Sequence, residues 1–111
     1  MKKIILIAMA FCASSQAFAG TFTAKVEQIL LYDEGNIVYV YPKGGVQNPP
    51  SCHGSNGDYA TIKMDRPMAK EYLSALLAAM MAKKDVIFRV SDDCQEQSFA
   101  VKLRYFTVKD E

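Results

Sequence analysis

Residues 65–90, DRPMAKEYLSALLAAMMAKKDVIFRV, decide the reading of the fold. Asp65 can accept a backbone N–H as an N-cap, and Pro67 suits a first helical turn. A helix is therefore predicted to open at Asp65-Arg66-Pro67 and to run to about Lys84. Tyr72, Leu73, Leu76, Leu77 and Met80 form one apolar stripe along it. Ala75, Ala78, Ala79 and Ala82 add small residues at its side. Lys83 and Lys84 suit the negative end of the helix dipole. Asp85 then starts a strand, in which Val86, Phe88 and Val90 point one way and Ile87 and Arg89 the other.

Strand signals lie on both sides of this unit. Towards the N-terminus, Tyr59 to Met64 reads as a short strand. Before it, Ile37-Val38-Tyr39-Val40-Tyr41 is wholly β-branched or aromatic, a strong strand signal. Phe22, Ala24 and Val26 alternate with Thr23, Lys25 and Glu27, the period of a half-buried strand. Ile29-Leu30-Leu31 breaks that alternation, which implies burial on both sides or a bulge. Asp33-Glu34-Gly35-Asn36 is a turn, so the strand from Phe22 to Tyr32 and that from Ile37 to Tyr41 are expected to pair as a hairpin. Towards the C-terminus, Ser91-Asp92-Asp93 is a turn. A last strand follows from Ser98 to Lys109, with Phe99, Val101, Leu103 and Tyr105 on one face. The order is β-β-β-α-β-β, a mainly β chain with one helix (α+β). It suits a five-stranded barrel of the OB type whose helix plugs one end, or an open antiparallel sheet crossed by the helix.

The N-terminus has the three parts of a secretory signal peptide. Lys2 and Lys3 are the basic n-region, Ile4 to Ala13 the apolar run, and Ala17-Phe18-Ala19 an A-x-A cleavage site. Ten apolar residues fall well short of the roughly 20 needed to span a bilayer, and no later segment is long enough either. Cleavage at Ala19 leaves 92 of the 111 residues (20–111) as one domain, secreted or periplasmic in a bacterium. It takes two of the 13 basic residues, leaving 11 against 12 acidic ones. A near-neutral chain with no charge run longer than a pair has no field to gather nucleic acid or an anionic membrane.

Cys12 leaves with the signal. Cys52 and Cys94 remain, and in an oxidising compartment they are expected to pair. Their link would fasten the segment Pro42–Asp58, which holds Gly44, Gly45, Gly54, Gly57, Pro42, Pro49 and Pro50 and resists regular structure. The rival role is a nucleophilic thiol beside His53, but adjacent side chains seldom point together and a second cysteine is at hand.

No catalytic, cofactor or metal motif is present. Phosphate-binding and dinucleotide glycine patterns are missing, Ser51, Ser55 and Ser98 lack a nucleophile motif, and Asp92, Asp93 and Glu96 lack the spacing of a calcium loop. Asp65 and Glu71 are explained by the helix start. His53 stands alone in a polar loop. The aromatic content says more. Tyr32, Tyr39, Tyr41 and Tyr59 lie on or beside the first strands and the loop, near Asn48, Asn56 and Asp58. Flat apolar faces beside amide and carboxylate groups have the chemistry of a sugar site. Asn56, Asp58 and Tyr59 are the candidate ligand-binding residues.

The stretch from Ala69-Lys70-Glu71-Tyr72-Leu73 through Ala82-Lys83-Lys84-Asp85-Val86-Ile87-Phe88-Arg89-Val90 resembles the B subunits of pentameric bacterial toxins, in particular that of subtilase cytotoxin and its small secreted homologues. The export signal and element order match as well. The resemblance is specific over about 25 residues. It implies an OB fold, a homo-pentameric ring packed around its helices, and recognition of cell-surface glycans, with no sugar-contacting residue to carry across. The chain is thus expected to be an exported non-catalytic module that recognises a glycan or a protein surface, with a periplasmic inhibitor of an exported enzyme such as a lysozyme, or a structural accessory protein, as the alternatives.

Overall fold

The computed structural model describes residues 20–54 and 58–110. The signal-peptide reading of residues 1–19 and the candidate Asn56 lie outside the described residues. The elements are β1 (Thr21–Tyr32), β2 (Ile37–Pro42), β3 (Ala60–Lys63), α1 (Ala69–Ala82), β4 (Asp85–Val90) and β5 (Val101–Val108), so the expected β-β-β-α-β-β order holds. The long β1 pairs antiparallel with β2 through its second half and with β4 through its first. β3 adds antiparallel to β2, β5 antiparallel to β4, and a short parallel ladder joins β3 to β5. The order β1-β2-β3-β5-β4 thus closes into a barrel.

Two bulges set which side chains face inward. Glu27 is an extra residue against β2, between the pairs Val26–Pro42 and Gln28–Tyr41. The inward set therefore passes from Phe22, Ala24 and Val26 to Ile29, which packs on the core. This is the break in alternation noted at Ile29-Leu30-Leu31. Arg104 is likewise extra against β4, between Val90–Leu103 and Arg89–Tyr105. After Leu103 it is Phe106 that turns in, while Tyr105 is 53% exposed. The expected single face of Phe99, Val101, Leu103 and Tyr105 is corrected accordingly. Phe99 precedes β5 and is exposed.

The helix begins later than expected. Arg66 N–H bonds Lys63 O and Ala69 N–H bonds Arg66 O, so residues 63–69 form successive turns. Met68, left-handed at φ 66°, takes the N-cap position without a side-chain hydrogen bond. Asp65 is not the cap, because the chain must first turn to bring the Arg66 side chain onto β5. The helix buries Ala69, Leu76 and Ala79, with Tyr72, Leu73 and Met80 half-buried beside them. Leu77, expected on the inner stripe, is exposed. The spacing 69-72-73-76-80 keeps the 3.6-residue period on one face, and Leu77 falls outside it. Among the described residues no helix is long and apolar enough to cross a membrane.

The barrel interior is filled mainly by Phe22, Val38, Val40, Ile62, Phe88 and Leu103. At one end of the β1–β4 ladder the register partners Lys25 and Asp85 form an ion pair. The Lys25 ammonium holds the Asp85 carboxyl below its ordinary range, through hydrogen bonding and then charge. A folded-state pKa below the unfolded one stabilises at higher pH and loses that contribution as pH falls through the folded pKa. Lys25→Gln is therefore expected to flatten the acid side of the stability profile, seen in urea midpoints between about pH 6 and 3. The loss sits near neutrality, where the carboxyl is ionised, and vanishes at low pH; it should be small, because the pair is exposed.

Candidate functional site

The β2–β3 side of the barrel carries a row of tyrosines. Alternation along β2 turns Val38 and Val40 inward and Tyr39 and Tyr41 outward. Tyr59 directly precedes β3, and Tyr32 ends β1. The Tyr39 ring stacks on Tyr59 at 4.0 Å between centroids with planes 14° apart. Tyr41 lies 5.3 Å from Tyr59 on one side, and Tyr32 5.8 Å from Tyr39 on the other. The four rings thus form a continuous ledge. Tyr59 is its floor at 4% exposure, Tyr39 and Tyr41 are half-buried, and Tyr32 is exposed.

A single amide orders the hydroxyls. Gln97, from the β4–β5 loop, donates through Nε2 to the Tyr39 hydroxyl at 2.6 Å and accepts from the Tyr59 hydroxyl at Oε1. Burial pushes the Tyr59 hydroxyl well above the ordinary phenol range, and the neighbouring Tyr39 adds to this. Tyr59 therefore stays protonated and keeps donating to Gln97. At the far end, Tyr32 donates to Glu34 at 3.2 Å, and the Glu34 charge raises the Tyr32 hydroxyl.

Cys52 and Cys94 are joined, as expected, across 42 residues. The bond ties the β2–β3 loop to the β4–β5 loop that carries Gln97. His53, next to Cys52, works with it. Its side chain is 3% exposed. Nδ1 accepts the Val101 N–H at 3.2 Å, so the proton sits on Nε2, which meets Asp58 Oδ1 at 2.7 Å. Asp58 Oδ1 also accepts the Val46 N–H at 3.1 Å. Gly54 N–H bonds Phe99 O at 2.8 Å. Cys52, His53 and Gly54 thus each hold the loop to the segment from Cys94 to Val101. With both ring nitrogens occupied by structural partners, His53 is committed to the loop.

Gly45 closes the same arrangement. Its φ of +87° suits only glycine, and a β-carbon there would overlap the Asp58 carboxylate. Gly45→Ala is expected to cost about 1–3 kcal/mol by denaturant unfolding. Ala substituted at the neighbouring Gly44, also at positive φ but with open space around it, should cost less.

Of the candidate ligand residues, Tyr59 is the floor of the ledge and Asp58 precedes it in the chain. Asp58 is half exposed but engaged by His53 and Val46, and Tyr59 presents its hydroxyl to Gln97 rather than its ring to solvent. The accessible surface belongs to Tyr32, Tyr39 and Tyr41. Asn48 sits in the loop with a left-handed backbone, φ 51°. Sequence reasoning missed Gln97, which stands in an unremarkable polar run, Asp93-Cys94-Gln95-Glu96-Gln97. The only local signal was its nearness to Cys94.

Glu96, one residue earlier, is equally structural. Its Oε1 accepts from the Thr61 hydroxyl at 2.9 Å and the Lys63 N–H at 3.0 Å, while Oε2 pairs with Arg66 at 3.3 Å. Arg66 also donates to Leu103 O at 2.7 Å and lies over the Tyr72 ring. Among the described residues no group of three or more His, Cys, Asp or Glu is placed to hold a metal ion. No protein-family model matches the chain, and no curated protein or solved structure matches it either.

Proposed function

We propose that this chain is an exported, non-catalytic binding module of OB type that recognises glycans on the Tyr32–Tyr39–Tyr41 ledge. The observation that carries the reading is the stacked Tyr39–Tyr59 pair flanked by two further tyrosines, with its hydroxyls held by Gln97. Flat, ordered aromatic faces receive the apolar face of a pyranose, and ordered hydroxyls and amides meet its oxygens. Pre-organisation matters for weak sugar contacts, since little side-chain freedom is then lost on binding. The closed order β1-β2-β3-β5-β4 with a helix between β3 and β4 supports the OB reading. In OB folds the face of strands 2 and 3, with the β1–β2 and β4–β5 loops, is where oligosaccharides and oligonucleotides bind. The ledge and Gln97 occupy those elements, and the near-neutral charge favours sugar over nucleic acid. The Cys52–Cys94 bond supports an oxidising, extracytoplasmic destination.

A glycan array probed with the processed protein tests this. Tyr39→Ala and Tyr41→Ala, checked for folding by circular dichroism, should each weaken the best glycan about tenfold, the scale of one aromatic contact. An array with no binding, or undiminished binding by both variants, would overturn it. The toxin-like homo-pentameric ring is a further part of the proposal. It is supported by the exposed apolar outer face of α1, where Leu77 and Met81 stand with Ala78. Light scattering on the purified protein should give five times the mass of the processed chain, and a monomer would remove the ring.

A further inference from the structure

We propose that the turn end of the β1–β2 hairpin carries a second site, which takes one basic side chain of a partner protein. A cavity of about 260 Å³ lies there, with Leu31, Ile37, Val38, Met64 and Leu73 as its apolar lining and Tyr32 as an aromatic wall. This is smaller than the roughly 300–1,000 Å³ of ordinary small-molecule pockets and suits one side chain. Asp33 also lines it. Glu34 stands beside it, held by the Tyr32 hydroxyl. Among the described residues neither carboxylate pairs with a lysine or arginine, whereas Asp85, Glu96 and Asp110 each do.

These features match the two halves of a lysine or arginine. The apolar stem fits the Leu/Ile/Val/Met lining, and the cationic head meets the acidic rim and the Tyr32 ring. A neutral aliphatic group would leave the rim unused, and an anion would be repelled by it. Leu31, 65% exposed, enlarges the apolar surface around the cavity beyond what a free amine would cover, which points to a protein surface. Tyr32 is shared with the end of the glycan ledge, but Tyr39, Tyr41, Tyr59 and Gln97 take no part, so Tyr39→Ala and Tyr41→Ala test the ledge while Asp33→Asn and Glu34→Gln test this site.

Amide chemical-shift titration of the processed protein with n-butylammonium, 1-butanol and butyrate tests the assignment. Saturable shifts around Tyr32, Ile37, Met64 and Leu73 are expected with n-butylammonium, with 1-butanol at least fivefold weaker and butyrate silent. Asp33→Asn and Glu34→Gln change exposed turn residues and should each weaken n-butylammonium about two- to fivefold. A capped lysine–leucine peptide should bind more tightly than n-butylammonium, because it also covers Leu31. Equal affinity for 1-butanol, indifference to both substitutions, or the lack of a saturable shift would overturn the cation site. A peptide no tighter than n-butylammonium would overturn the protein partner.

Discussion

Replacing both Cys52 and Cys94 with alanine is expected to destabilise the domain by about 4 kcal/mol. The chain-entropy cost of freeing a 42-residue closed loop sets the scale. For a domain of this size that lowers the melting temperature by roughly 20 °C, measurable by calorimetry with and without reductant on the parent protein. The loss should also reach the ledge. The bond holds Gln97's loop against the Tyr59 loop, so the proposed glycan binding should weaken in the double variant even at temperatures where it is folded. His53 and Gly54 still fasten the same two segments, so the reduced protein should keep its barrel at low temperature rather than unfold outright. A melting temperature unchanged by reductant would show that the tether adds nothing to the hydrogen bonds beside it.

Glu96→Ala is expected to cost about 3–5 kcal/mol, the range for removing one partner of a buried pair. The Glu96 side chain is 9% exposed and Arg66 is 18% exposed. The loss would strip the Lys63 N–H of its acceptor, remove one from the Thr61 hydroxyl, and leave the Arg66 charge with carbonyl partners alone. Glu96→Gln keeps an oxygen at the same place and gives up only the charge, so it should cost less than half as much in urea unfolding. Equal losses for the two substitutions would mean that the ion pair, and not the accepted hydrogen bonds, carries the effect. Because Glu96 joins β3, the turn before α1 and the β4–β5 loop, its removal should also loosen Gln97, its near neighbour in the chain.

Both predictions act on one device. A loop without regular structure, residues 91–100, is held by the disulfide at Cys94, by Glu96 and by Gln97, and each contact reaches a different part of the barrel. Rigid tyrosine hydroxyls follow from that fastening. The ledge is therefore sensitive to positions that never touch a ligand.

The residues by themselves determined the element types and their order. β-branched and aromatic runs at Ile37–Tyr41 and Val86–Val90, with a leucine- and alanine-rich helix between third and fourth strands, leave little choice of local structure. The pairing of Cys52 with Cys94 was legible too, because only two cysteines remain after residue 19. Tertiary structure decided what local periodicity cannot carry. Bulges at Glu27 and Arg104 lie beside the points where β1 changes partner from β4 to β2 and β5 from β3 to β4, and each reverses the inward parity of all that follows. That is why Phe106 turned in and Tyr105 out. Asp65 lost its capping role because Arg66 had a stronger claim on Glu96 and on a β5 carbonyl, both some 30 or more residues away. Gln97 joined the tyrosines for the same reason: ring closure brought a distant loop over β2, a contact with no trace in the neighbouring residues.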